Sequence, residues 1–257
     1  MLTRARLALR SPDGARRAAD YALAVVLFRL SPDTRRAIFA GDDHECSLCG
    51  ARLSRFLQLH RPCFRWCPVC RSLQRHRFSW LLLQRQLFST RLPGDVLHFA
   101  PEESLANAFR RLPHIRYATT DLYAPGVTLR ADIVRLPHRD AVFDLIYCSH
   151  VLEHIPDDRA AMRELRRVLR VGGIAVILTP LWTRPTFEDP GVTDPFERER
   201  LFGQHDHVRW YGLDIVERLS GAGFSVCTVR AGDIANAAEI ERYGLDAGEI
   251  AFLCSAH

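Results

Sequence analysis

Four cysteines carry the plainest chemistry in this chain. Cys46 and Cys49 form one C-x-x-C pair and Cys67 and Cys70 a second, with seventeen residues between the pairs. Each pair can fold into a tight knuckle that aims two thiolates at one point, and two knuckles complete the tetrahedron that zinc accepts. Four thiolates leave no open coordination position, so such a zinc is structural; the alternative is four unligated thiols. The segment has too few apolar residues for a core of its own, and the metal would supply its folding free energy. Cys63 is a spare thiol that could replace one ligand. Cys148, Cys227 and Cys254 fall in apolar runs and read as inert core residues. Five cysteines within 25 residues, in this paired arrangement, point to metal and a reducing, cytoplasmic compartment and away from disulfides.

A second group is built on histidine. The segment from Pro180 to Gly212 is too long for a plain strand–helix connection and reads as a lid or substrate loop. It contains Gly203-Gln204-His205-Asp206-His207-Val208-Arg209. A histidine titrates near neutrality and suits a general base, so His205 and His207 are candidates, with Asp206 as an orienting partner. The competing reading is that His207 and Arg209 only pin the loop to the sheet. A metal on this H-x-H loop is a weaker third reading.

The elements that must position these groups follow from punctuation and periodicity. Ser11-Pro12-Asp13-Gly14 and Ser31-Pro32-Asp33 break residues 1–40 into helical segments, each break placing a Ser cap before Pro. Residues 41–94 hold the cysteine module and a linking helix over about 72–90. From residue 95 to 257 strand-like and helix-like runs alternate, the mark of a parallel sheet with crossover helices. Strands are predicted at Val96–Phe99, Arg116–Thr120, Val127–Ala131, Phe143–Cys148, Gly173–Leu178, Phe224–Val229 and Glu249–Cys254. Helices are predicted at Glu102–Arg111, Asp157–Leu169 and Tyr211–Gly221. Only about six residues separate the second strand from the third, too few for a crossover helix, so a loop is expected there.

Two runs carry a resemblance. Phe143-Asp144-Leu145-Ile146-Tyr147-Cys148-Ser149-His150-Val151-Leu152-Glu153-His154-Ile155 is similar to the fourth strand and following loop of class I S-adenosylmethionine (SAM)-dependent methyltransferases. Arg166-Arg167-Val168-Leu169-Arg170-Val171-Gly172-Gly173 is similar to their turn into the fifth strand. The chain thus resembles the type 11-like methyltransferases, in a bacterial subgroup with an N-terminal four-cysteine zinc knuckle module. The resemblance implies an α/β fold, a Rossmann-like seven-stranded sheet with helices on both faces, preceded by a small helical and zinc-binding region.

It also implies a cofactor site of SAM at the carboxyl ends of the strands. Asp121 ends the second strand, where a carboxylate accepts hydrogen bonds from both ribose hydroxyls, with Leu122 beside it. Asp132 and Ile133 follow the third strand, for the adenine edge and for packing. His150 leaves the fourth strand near the methyl group; otherwise it is a capping histidine. His98, Ala100 and Glu102 occupy the first loop, which lacks the family's glycines: Ala100 is small, Pro101 removes a donor, and Glu102 or Glu103 would hold the ammonium group.

Charge separates the two halves. All 35 basic residues are arginine, and residues 1–94 carry a net of +11 against −6 for residues 95–257. The front end therefore suits an anionic acceptor such as RNA, a lipid or a glycan precursor, unless its arginines merely solvate helices. No run reaches the ~18–20 apolar residues of a membrane span, though an amphipathic N-terminal helix would allow peripheral contact. The leading reading is methyl transfer to an O or N atom of an unidentified acceptor. The alternatives are an RNA base methyltransferase, or a non-catalytic zinc-containing binding module with a degenerate SAM site. A nicotinamide oxidoreductase is disfavoured, because no G-x-G-x-x-G follows the first strand.

Overall fold

The computed structural model describes residues 12–58, 65–89 and 93–256. The spare Cys63 and the part of the predicted N-terminal helical segment before Pro12 lie outside them. The described residues form two compact units: the first takes in residues up to 89 with Glu103–Ala108 and Arg230–Glu249, the second 93–102, Phe109–Val229 and the chain from Ile250 on. The first unit thus draws residues 230–249 from within the span expected for the sheet domain.

The first unit opens with α1 (Pro12–Leu27) and α2 (Pro32–Ile38). As the Ser-Pro break predicts, Ser31 caps α2 by accepting from the Thr34 amide at 3.1 Å, with Pro32 at the first helical position. On α1 and just beyond, Tyr21, Val25, Val26 and Leu30 are exposed. Next come β1 (Ala40–Glu45) paired with β2 (Arg52–Leu53), and β3 (Leu57–Gln58) paired with β4 (Arg65–Trp66), both antiparallel. The linking helix is shorter than predicted: α3 spans Gln74–Leu82 and passes into a π-helical turn over Leu83–Leu87.

The second unit is built on a mixed seven-stranded sheet. Its elements are β5 (Asp95–Phe99), α4 (Glu103–Arg110, which straddles the two units), β6 (Arg116–Asp121), β7 (Leu129–Arg130), β8 (Phe143–Ser149), α5 (Asp158–Val168) and β9 (Leu169–Leu178). They are followed by β10 (Phe187–Glu188), α6 (Pro195–Phe202), β11 (Arg209–Trp210), α7 (Ile215–Gly221) and β12 (Ser225–Arg230). The strand order is β12-β13-β9-β8-β5-β6-β7, where β13 is Ile250–Ser255. Strands β5 to β9 run parallel to one another and β13 runs antiparallel to β9. Strand order reverses between β5 and β8, which is where a doubly wound sheet opens a crevice at its carboxyl edge.

Both faces of the central strands are buried, as a parallel sheet requires. On one face Leu97, Phe99, Ile146 and Cys148 share a core with Ala161, Met162 and Leu165 of α5 and Ile215 and Leu219 of α7. The α5 residues fall at one-turn spacing, so a single stripe of that helix meets the sheet. On the other face the His98 ring meets Tyr147 edge-on at 4.9 Å, and Phe109 stacks on Tyr117 at 5.4 Å. Residues 122–128 between β6 and β7 are irregular, as the short spacing predicted.

Three expectations need correction. The helix predicted from Tyr211 starts only at Ile215, because Tyr211 bridges to Leu181 and its hydroxyl donates to Asp158 at 2.6 Å. Cys227 is exposed rather than a core residue, since its position on β12 faces outward; Cys148 and Cys254 are buried. The predicted loop from Pro180 to Gly212 has its own structure: β10 pairs with β11, and between them lies α6. Asp194 caps α6 by accepting from Phe196 and Glu197 amides at 2.9 and 3.0 Å, and Gly203 ends it in the left-handed region.

This strap is tied down by charge. Arg209, buried, donates to the carbonyls of Leu152, Ile155 and Pro156 and to Glu188 Oε2 at 2.8 Å. Arg218 joins Glu188 to Asp158, at 2.8 and 2.9 Å. Arg218 in the first place, and then Arg209 against the opposing effect of burial, hold the Glu188 carboxyl down at about 2. A carboxyl whose folded pKa lies below its unfolded value stabilises the fold above the usual carboxylate range and loses that contribution as pH falls toward 2. Trypsin cleavage within 184–200 should therefore rise between pH 6 and pH 3 conditions imposed before a neutral pulse. Glu188→Gln should already be cleaved at pH 6 and change little; equal acid sensitivity in both proteins would remove Glu188 from the anchor.

Between β12 and β13 the chain leaves the sheet for α8 (Ala231–Ile234) and α9 (Ala237–Arg242), both part of the first unit. Three ion pairs reach α9 within that unit: Arg85–Glu239 at 2.7 Å, Arg242–Glu45 at 2.9 Å and Arg65–Glu241 at 3.1 Å.

Candidate functional site

In the second unit, a cleft of about 660 Å³ lies at the carboxyl ends of the strands, a size suited to a small organic ligand. β5 delivers Phe99 and Ala100 to it, β6 Thr120 and Asp121, and the β7 end Asp132 and Ile133. β8 delivers His150, and the turn after it His154. Six positions singled out in the sequence, Ala100, Asp121, Leu122, Asp132, Ile133 and His150, thus meet around one space.

Each wall residue has a definite local cause. Asp121 closes an Asx turn: its Oδ1 accepts from the amides of Tyr123 and Ala124, both at 2.7 Å. This leaves Oδ2 for a ligand. Ile133 is buried and gives the cleft an apolar surface, whereas Asp132 is exposed and accepts from the Val134 amide at 3.1 Å. Ala100 has φ +46° and His150 φ +55°. Glycine occupies this left-handed region at no steric cost and other residues do not. The first loop therefore makes the glycine turn without glycine, held by the Ala100 amide donating to the Thr120 carbonyl at 2.9 Å. Strained backbone of this kind is stable only where its surroundings fix it, and functional sites are where it concentrates.

Behind His150 lies Glu153, only 1% exposed. His150 Nδ1 stands 3.3 Å from Glu153 Oε1, and Thr179 donates to Glu153 Oε2 at 3.2 Å. His150 Nε2 is buried without a hydrogen-bond partner. Burial pushes the Glu153 carboxyl up, but His150 and His154 outweigh it and hold the carboxyl below its ordinary range. Sequence reasoning gave a role to His150 alone in this run. The signal for the rest was the H-x-x-E-H pattern itself, three ionisable groups packed into the turn that leaves β8.

Four assigned residues are placed elsewhere. His98 is fully buried on the opposite side of β5, with Nδ1 2.8 Å from the Tyr117 hydroxyl and Nε2 3.0 Å from Glu102 Oε2. Neither His98 nor Glu102 lines the cleft, because alternation along the strand turns His98 away from the face that Phe99 presents. His205 is exposed and outside the lining. His207 is buried behind His154, edge-on to it at 4.7 Å, with Nδ1 3.1 Å from the Phe202 carbonyl; burial lowers its pKa. Of the three histidines assigned to catalysis, only His150 faces the cleft.

The first unit holds the four cysteines. Cys46 Sγ lies 3.6 Å from Cys70 Sγ and Cys49 Sγ 3.8 Å from Cys67 Sγ. These separations are far beyond an S–S bond of about 2.05 Å. They match the edge of about 3.8 Å for a tetrahedron with zinc–sulfur bonds of about 2.3 Å. The two knuckles are twins. Cys46 N donates to Ala51 O and Gly50 N to Cys46 O, at 2.9 and 2.8 Å; Cys67 N donates to Ser72 O and Arg71 N to Cys67 O, both at 2.9 Å. Gly50 and Arg71 hold the equivalent left-handed position, at φ +65° and +64°.

Two buried arginines stand by the thiols. Arg77 is 0% exposed and donates only to carbonyls and a hydroxyl: Tyr243 and Gly244 at 2.7 Å, Ser72 at 2.8 Å, Arg65 at 3.0 Å, and more distantly Ser72 Oγ. Its guanidinium lies 4.0 Å over the Phe56 ring. Gly244, at φ +57°, is required here, since a Cβ would stand 2.5 Å from Phe56. Arg35 donates to the Val69 carbonyl at 2.8 Å. Among the described residues neither arginine has a carboxylate partner, and a buried cation needs a nearby anion.

Comparison with known proteins centres on the sheet. Residues 96–177 match the methyltransferase domain family. The chain is 34% identical over 119 residues to an uncharacterized 37.1 kDa protein in transposon TN4556 of Streptomyces fradiae, covering 44% of this chain and 33% of that one. It is 40% identical over 73 residues to the ubiquinone/menaquinone biosynthesis C-methyltransferase UbiE of Xylella fastidiosa, covering 24% of this chain and 29% of that one. The chain thus spans about a third of the length of the curated relatives it matches. Among solved structures, the YcgJ protein of Bacillus subtilis aligns with a TM-score of 0.45 at 18% identity, over 70% of this chain and 98% of that one. Every cleft residue from Phe99 to Asp157 lies inside the span that is similar to this family.

Proposed function

We propose that the chain is a SAM-dependent methyltransferase acting on an O or N atom of its acceptor, with a structural zinc ion on Cys46, Cys49, Cys67 and Cys70. The observation that carries this reading is the cleft at the strand-order reversal, with Asp121 Oδ2 left without a partner among the described residues. SAM, when bound, supplies a methyl group made electrophilic by its sulfonium. Asp121 accepts from the ribose hydroxyls, Asp132 meets the adenine edge, and Ile133 packs against the ring. Ala100, in its left-handed turn, keeps the first loop out of the cofactor's way without glycine.

His150 is the residue suited to take a proton from an acceptor hydroxyl or amine. With Nδ1 3.3 Å from the Glu153 carboxylate, the proton is held on Nδ1 and Nε2 carries the lone pair that can accept a proton. The zinc site is supported by the sulfur–sulfur spacing, the twin knuckles and the two arginines that a zinc tetrathiolate, a dianion, would neutralise. The acceptor is an anionic molecule such as RNA, a lipid or a glycan precursor, on the strength of the arginine excess before residue 95. No helix among the described residues is long and apolar enough to cross a membrane. The exposed Tyr21, Val25 and Val26 of α1 support peripheral contact, and the reduced cysteines support a cytoplasmic setting.

Calorimetric titration of the zinc-loaded protein with SAM and with S-adenosylhomocysteine tests the reading. Micromolar binding of both is expected. Binding of neither, with salt-dependent RNA binding instead, would establish a non-catalytic binding module.

A further inference from the structure

We propose that Glu153, His154 and His207 form a binding site for a divalent transition-metal ion at the wall of the cleft, distinct from the four cysteines. One ligand atom from each of the three side chains lies within 4.8 Å of the others. Two imidazoles and one carboxylate form a nitrogen–oxygen set that suits first-row divalent ions and leaves coordination positions open.

The three groups are brought together by the turn after β8 and the far end of the strap. Glu153 and His154 sit in the single 3-10 turn Leu152–His154 that follows β8, and His207 lies just before β11. The Val208 amide donates to the Glu153 carbonyl at 2.9 Å, and Arg209 donates to the Leu152 carbonyl at 3.0 Å. The turn and the strap are therefore fixed to each other beside the proposed ion.

Both imidazoles are oriented from behind. His207 Nδ1 faces the Phe202 carbonyl at 3.1 Å, an acceptor only, so Nδ1 carries the proton and Nε2 the lone pair. His154 Nδ1 faces Asp206 Oδ2 at 3.3 Å, with the same consequence. A carbonyl or carboxylate on the far nitrogen is the usual support of a metal-bound histidine. His154 and Asp206 line the cleft, so the site is reachable from it.

Glu153 supplies the second, independent observation. It is 1% exposed, and among the described residues its Oε1 accepts no hydrogen bond, the His150 Nδ1 at 3.3 Å being an ion-pair contact only. The other buried carboxylates of the second unit are paired with arginine: Asp158 with Arg218 at 2.9 Å and Asp95 with Arg116 at 2.5 Å. Glu153 has no arginine ion pair among the described residues; beside the Thr179 hydroxyl its neighbours are the imidazoles of His150, His154 and His207. A buried carboxylate without a permanent cation is costly, and a bound divalent ion removes that cost.

The test is Co2+ titration of the zinc-loaded protein, followed by optical spectroscopy and cobalt-edge X-ray absorption. One Co2+ per chain should bind, adding ligand-field bands without thiolate-to-cobalt charge transfer and showing imidazole scattering. Glu153→Gln and His207→Asn should each weaken binding by roughly tenfold or more, and His205→Asn should leave it unchanged. No Co2+ bound at millimolar concentration, charge transfer as the only change, or bound Co2+ without imidazole scattering would each overturn the proposal. The scattering measurement needs only the wild-type protein, so it decides the matter even where a variant fails to fold.

Discussion

Chelation of the protein, or Cys67→Ser, is expected to unfold the first unit, with protease cleavage appearing in two segments at once: 40–75 and 230–249. The strands here are short, three of the four spanning two residues each, and contribute few ladder hydrogen bonds. A structural zinc supplies on the order of 10–16 kcal/mol at neutral pH, more than the whole stability of most domains. Its loss also leaves Arg77 buried without an anion. Because Arg77 is what holds the Tyr243 and Gly244 carbonyls, residues 230–249 come loose with the knuckles. Zinc content, limited proteolysis and hydrogen exchange read the result. Continued protection of both segments in metal-free protein would show that the thiols need no ion, and the sheet, with its own core, should keep its protection throughout.

The second large effect is at Asp121. Replacing it with alanine should weaken SAM binding by about tenfold to a hundredfold, from the ~1–3 kcal/mol cost of leaving a ligand's polar groups unpaired. Alanine also abolishes the Asx turn, so it cannot separate ligand contact from loop shape. Asp121→Asn can: its oxygen still accepts from the Tyr123 and Ala124 amides, while Oδ2 becomes an NH2 donor. Asparagine should therefore weaken SAM nearly as much as alanine does. If asparagine binds as the wild type and only alanine is weak, the carboxylate serves the turn and not the ribose. Titration calorimetry on the three proteins distinguishes these outcomes.

Much of the sheet was legible because parallel strands buried on both faces are written as apolar runs. Phe143–Cys148 and Val96–Phe99 lie within one residue of β8 and β5. The break at Ser31-Pro32 was equally plain, since cap chemistry is local. The short strands β10 and β11 and the helices α8 and α9 left no such mark: they have no room for a period and are fixed by partners distant in sequence. For the cleft, the ends of strands told where Asp121, Asp132 and His150 would go. They did not tell that His98 would face the other way, although alternation from Phe99 contained that information. His205 and His207 drew attention by type, but a loop's side chains have no periodicity from which direction can be read. Glu153 was passed over because a carboxylate in a helical turn is ordinary until its burial is known.

The first unit cannot be completed early in the life of the chain. Arg77 lies 166 residues before Tyr243 and 167 before Gly244, the carbonyls that receive its guanidinium. A ribosome adding about 5–20 residues per second needs roughly ten to thirty seconds to cover that distance. Through that interval the four cysteines have emerged and their closing segment has not. Nascent chains therefore carry the knuckles, metal-loaded or not, in an unfinished unit until nearly the whole sheet has been synthesised. A cut after residue 94 would reproduce that unfinished state permanently.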